Sequence, residues 1–145
     1  MPIKTFRGKI ADGEVDRIVL HTNNGSMWYR ITKLKGMSTD PGATQEAHVI
    51  KIYKVPQTPA SVDGLVDLSD TTLIGVLYFT NRNDELHSNE SVIIADMEIF
   101  NQDIYLTHSD VQSNTAGNYY LELEQVKLDL NENTVATLKD IRNLS

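Results

Sequence analysis

With no cysteine in the chain, its histidines and carboxylates carry whatever metal or acid–base chemistry the sequence could support. The four histidines, His21, His48, His87 and His108, include no pair three to five residues apart, so the HExxH arrangement that sets two imidazoles on one helical face is missing. The densest ligand run is Asp84-Glu85-Leu86-His87 with Glu90. It could bind a divalent ion, but its polar surroundings fit a solvated loop. Asp63, Asp67 and Asp70 lack the alternate-residue spacing of an EF-hand loop, and a calcium site assembled from separate loops is left open. Glu122 and Glu124 could be imagined as an acid/base pair, yet two-residue spacing on a strand makes them the polar face of an amphipathic element. There is no Gly-x-Ser-x-Gly elbow, Walker A loop or Gly-x-Gly-x-x-Gly fingerprint. The expectation is a protein that is not an enzyme, with no catalytic residue, no cofactor-binding residue and no metal ligand set.

Residues suited to molecular contact are easier to name. Trp28, Tyr29 and Arg30 are adjacent, and these three types dominate buried contact energy in interfaces. Alternation allows only one of Trp28 and Tyr29 to face the core, and Trp28 could equally cap the edge of its own fold. Tyr119 and Tyr120 complete the interface candidates. They sit in an acidic part of the chain, and the formal charge of −7 opposes nucleic acid and anionic membrane surfaces as partners. The charge is uneven: residues 1–60 hold nine Lys/Arg against five Asp/Glu, and residues 61–145 hold four against fifteen. Neighbouring copies could pair such halves, or interleaved strands could mix the charges within one molecule.

The elements that must position these side chains read as strands. A length of 145 residues with 40% hydrophobic and 23% charged residues suits one compact domain. Residues 3–10 alternate and stop at Ala11-Asp12-Gly13; a second run over 17–22 meets Asn23-Asn24-Gly25, whose Asn-Gly pair is a strong hairpin signal. Met27, Tyr29 and Ile31 then oppose Trp28, Arg30 and Thr32, and residues 36–44 read as a loop. His48, Ile50 and Ile52 oppose Val49, Lys51 and Tyr53, and Pro56 and Pro59 end that strand. An acidic irregular stretch leads to the apolar run 73–79, expected to be a strand buried on both faces. Residues 81–89 and 108–118 read as polar loops, with short strands at 92–94, 99–100 and 104–106 between them. Tyr119, Leu121 and Leu123 alternate with Glu122 and Glu124, and caps at 131–134 precede a helical stripe of Val135, Leu138 and Ile141. The expected fold is a single mainly β domain, an antiparallel β-sandwich or jelly-roll-like, with 129–145 as a partly helical tail. No apolar h-region follows the N-terminal charges and no apolar run is long enough to span a membrane, so neither a signal peptide nor a membrane partner is expected.

Four segments carry a resemblance: Thr5-Phe6-Arg7-Gly8-Lys9-Ile10-Ala11-Asp12-Gly13, Asn101-Gln102-Asp103-Ile104-Tyr105, Gly117-Asn118-Tyr119-Tyr120-Leu121-Glu122-Leu123-Glu124, and the run from Leu128 to Arg142. Together they resemble small virion structural proteins of marine tailed bacteriophages. The resemblance implies a capsid decoration or cement protein without a cofactor, located at the virion surface after synthesis in the host cytoplasm. Its partners would be the major capsid protein or another virion protein, and a homo-oligomer, a trimer by the local three-fold positions such proteins occupy. The alternatives are a tail, connector or fibre-associated component, and, further off, a carbohydrate-binding β-sandwich or small hydrolase. The resemblance transfers no functional residue.

Overall fold

The computed structural model describes residues 2–20, 25–41, 45–81, 90–95 and 97–128. Eight strands form two antiparallel sheets, as a β-sandwich requires. The smaller sheet has β8 (Gly117–Lys127) between β1 (Ile3–Ile10) and β3 (Met27–Ser38). The larger runs β2 (Val15–Ile18), β7 (Ile104–Asp110), β4 (Glu46–Tyr53), β5 (Leu73–Asn81), β6 (Glu90–Ile94). The expected C-terminal helix lies outside the described residues.

Alternation sets which side chains meet between the sheets. Tyr29, Ile31 and Leu34 of β3 and Tyr119, Leu121 and Leu123 of β8 face Ile50 and Ile52 of β4, Leu77 and Phe79 of β5, and Ile104 and Leu106 of β7. Each such side chain contributes about 1.5–3 kcal/mol by leaving water. The pattern Ile31-Thr32-Lys33-Leu34 breaks the two-residue period, and a register shift against β8 falls there, between Ile31 and Lys33. The extra residue turns Lys33 outward and brings Leu34, Gly36 and Ser38 to the inner side. That bulge lets β3 continue to Ser38, through the first three residues of the 36–44 stretch expected to be a loop. Gly36 is required where it stands: a Cβ there would lie 2.5 Å from Phe79 of the opposite sheet.

Three further expectations change. The run around Arg17 does not form a hairpin across Asn24-Gly25: β2 joins β7 and β3 joins β8, so the chain crosses between sheets. Among the described residues, 99–100 contribute only an isolated bridge between Tyr29 and Phe100. β7 extends through His108 to Asp110, residues expected in a loop, because pairing with β4 continues to His48 opposite Asp110.

β5 is buried on both faces except at Tyr78 and at its half-buried first residue, Leu73, and β4 is buried almost throughout. The outward face of β4 is covered at Lys51 by Asp63 and Leu65 of the segment 54–72, which carries one 3-10 turn at Pro59–Ser61. Lys51 points into this cover at 4% exposure, donating to Asp63 Oδ1 at 3.0 Å and to the Leu65 carbonyl at 2.6 Å.

Candidate functional site

At one end of the sandwich the apolar core gives way to a polar chamber. Register builds it: Glu46 is opposite Asn81, His48 opposite Asp110, and Ser38 opposite Gly117. Inward-facing positions two residues apart bring His48 beside Glu46 on β4 and His108 beside Asp110 on β7. Glu46, His48, His108 and Asp110 are all essentially buried, with Ser38 and Asn81 as walls. Gly117 is the floor: a Cβ there would lie 3.0 Å from His108 Nε2 and 3.1 Å from His48 Nδ1.

The two imidazoles share a short contact, His48 Nδ1 to His108 Nε2 at 2.8 Å. Their planes differ by 21° with centroids 5.0 Å apart, so the rings lie nearly edge to edge, as a shared N–H requires. His48 also stacks on Phe79 at 4.6 Å. Burial lowers the proton affinity of both rings; for His48 the nearby carboxylates Asp110 and Glu46 oppose that effect without overcoming it.

The carboxylates are held by neutral donors. Glu46 Oε2 accepts the Ser38 hydroxyl and the Asn81 amide, and Oε1 faces the Thr115 hydroxyl at 2.5 Å. Burial pushes the Glu46 carboxyl up, but these hydrogen bonds outweigh it and the net displacement is downward. Asp110 Oδ1 accepts the backbone N–H groups of Ala47, Gln112 and Ser113, while Oδ2 accepts the Thr115 N–H and lies 2.6 Å from its hydroxyl. Burial again raises the Asp110 carboxyl, and the donors pull it well below the usual carboxylate range. No lysine or arginine among the described residues pairs with either group.

A second candidate is the outer face of the smaller sheet. Across β1, β8 and β3 the outward rows run Arg7, Tyr120, Lys35 and then Lys9, Asn118, Met37, and they border an open groove of about 530 Å³. Met37 is 62% exposed, and the Tyr120 hydroxyl donates to Glu122.

The interface candidates separate. Tyr29 and Tyr119 are core residues, Tyr119 donating to Asp16, so neither offers its ring to a partner. Trp28 faces outward and donates its indole N–H to the Gly25 carbonyl at 2.8 Å, while Arg30 pairs with Glu124 at 2.8 Å. Of the five, Tyr119 and Tyr120 border the groove, Tyr119 as a buried core residue and Tyr120 from the outward row. The uneven charge is mixed within one molecule: Arg17–Asp103, Arg30–Glu124, Lys35–Glu90, Lys51–Asp63 and Lys54–Glu98 each join an early cation to a later carboxylate.

Residues 84–87 of the acidic run lie outside the described residues. Asp63 holds Lys51, and Asp67 and Asp70 bond to their own loop at Ser69 and Thr72. The chamber had a sequence signal, Glu46-x-His48 and His108-x-Asp110, two ligand pairs at strand spacing that motif searches for helical or loop sites pass over. Comparison with family models, curated proteins and solved structures finds no match to this chain.

Proposed function

We propose that this β-sandwich is a structural binding module, and that its place is on a bacteriophage capsid as a decoration protein. The observation that carries the reading is the groove on the outer face of the smaller sheet. Arginine, tyrosine and methionine are enriched at interfaces, and Arg7, Tyr120 and Met37 meet there beside Lys9 and Lys35. Such a face suits an acidic surface on a capsid subunit, with modest affinity multiplied over many copies. The likeness of the four segments to small virion proteins supplies the context. It also supports self-association on the shell.

The test is rebinding. Purified protein is added to particles lacking it, and binding and particle resistance to heat are measured. Saturable binding that protects the shell is expected, with the charge reversals Arg7→Glu and Lys9→Glu together weakening it about tenfold. Hundreds of copies per particle fit the shell, whereas about six or twelve would move the protein to the tail. No rebinding, with native particles equally stable without the protein, overturns the reading.

A further inference from the structure

Donor and acceptor counting in the chamber leads to a site that the groove does not use. The Ala11 carbonyl can only accept, and it lies 3.1 Å from His108 Nδ1, so that nitrogen carries a hydrogen. A neutral His108 then presents Nε2 as a lone pair, and the 2.8 Å contact assigns the shared hydrogen to His48 Nδ1. The other nitrogen of a neutral His48, Nε2, is left with a bare lone pair. That atom is fully buried and has no hydrogen-bond partner among the described residues. It faces Glu46 Oε1 at 3.7 Å, a lone pair against a carboxylate.

Thr115 shows the same shortage independently. Its hydroxyl has one hydrogen but lies within hydrogen-bond distance of both Glu46 Oε1 and Asp110 Oδ2. Only one oxygen can receive it, and the other is left facing a lone pair. Two buried carboxylates and a bare imidazole nitrogen therefore converge with too few positive groups between them.

We propose that Glu46, His48 and Asp110 hold a first-row divalent transition cation of the zinc type inside the sandwich. Their ligand atoms lie within 4.8 Å of one another. Zinc–nitrogen and zinc–oxygen bonds of about 2.1 Å bring two tetrahedral ligand atoms to about 3.4 Å apart, close to the 3.7 Å His48–Glu46 separation, and side-chain shifts totalling at most about 1.4 Å close the widest gap. One imidazole and two carboxylates suit such an ion better than calcium, which prefers oxygen alone. The outer support is in place: His48 donates its Nδ1–H to His108 Nε2, and His108 donates its Nδ1–H in turn to the Ala11 carbonyl, fixing tautomer and ring orientation. Because the ligands come from β4 and β7, the ion would staple adjacent strands of the larger sheet.

The full-length protein is freed of metal with a chelator and titrated with Zn2+ alone by calorimetry, then with Co2+ followed by visible absorption. One ion per chain, a Co2+ ligand-field band, and a rise in thermal midpoint with Zn2+ are expected. His48→Gln should abolish the band and weaken binding by well over tenfold, His108→Gln should weaken it about tenfold through the supporting hydrogen bond, and His87→Gln should leave it unchanged. Should a variant fail to fold, the wild-type Co2+ band and a metal-dependent shift of the His48 ring signals carry the test. Absence of the band, equal binding by folded His48→Gln, or loss that follows His87→Gln instead overturns the proposal.

Discussion

On the outward side of β4, Lys51 is buried beneath the 54–72 segment and meets the Asp63 carboxylate and a backbone carbonyl. On the inward side of the same strand, Glu46 and His48 are buried beside Asp110 and meet hydroxyls, amides and another imidazole. The lysine's countercharge arrives with the chain, on a segment laid across the sheet. The chamber's countercharge does not come from any described lysine or arginine. A buried charge must be neutralised or well solvated by fixed dipoles; Lys51 is neutralised within the chain, whereas the chamber's dipoles satisfy most of its acceptors but leave His48 Nε2 and one carboxylate oxygen unmatched among the described residues. The difference teaches where an outside cation is needed, and where it is not.

Substitutions can break or sharpen that contrast. The largest effect is expected from Glu46→Ala, which strips the Ser38 hydroxyl, the Asn81 amide and the Thr115 hydroxyl of an acceptor, costing about 3 kcal/mol in denaturant unfolding. Next comes Gly117→Ala, whose Cβ must displace the imidazole pair, at about 2 kcal/mol with loss of the shared His48–His108 hydrogen. Asp63→Ala should cost only about 1 kcal/mol, since the Asp63 side chain is 54% exposed and water can reach the place it leaves. If Asp63→Ala proves costlier than Glu46→Ala, the contrast is reversed and the account of the chamber fails.

The Lys51–Asp63 pair under the 54–72 segment also has a pH signature. The hydrogen bond from Lys51 holds the Asp63 carboxyl below its ordinary range. Its folded value is depressed, so its contribution is present above the unfolded carboxylate range and lost as pH falls through the folded value. The stability gap between wild type and Asp63→Asn should therefore close in acid; a gap that widens as pH falls contradicts the assignment. The smallest effect concerns Thr107, opposite Lys51 in register, whose buried hydroxyl has no hydrogen-bond partner among the described residues. Thr107→Val should be neutral or stabilising by up to about 1 kcal/mol in thermal unfolding, and a clear loss of stability would reveal a bond to that hydroxyl.

Much of the strand content could be read from alternation, because Tyr29 and Ile31, or Leu121 and Leu123, repeat with the pleat whatever their partners are. Termini and pairing were harder. The bulge after Ile31 looks like the end of a strand in a pattern that assumes strict alternation, and Asn24-Gly25 marks a turn without saying whether the next strand joins the same sheet. The chamber's two ligand pairs stand in the sequence at strand spacing, but their meeting could not be read for the same reason: His48 and Asp110 are 62 positions apart by their numbers and become neighbours only through the β4–β7 register. Alternation put Tyr29 in one row with Ile31 and Tyr119 in one row with Leu121 without saying which way the rows face; both face inward, which withdraws the two tyrosines from the surface.

Nitrogen-15 spectra of the imidazoles in metal-free protein at neutral pH test the central claim most directly. The account predicts that both rings are neutral and carry hydrogen on Nδ1, with His48 Nε2 unprotonated and moving on addition of Zn2+. A protonated His48 Nε2 that is indifferent to Zn2+ would contradict it, since the chamber would then be neutralised by a proton of its own.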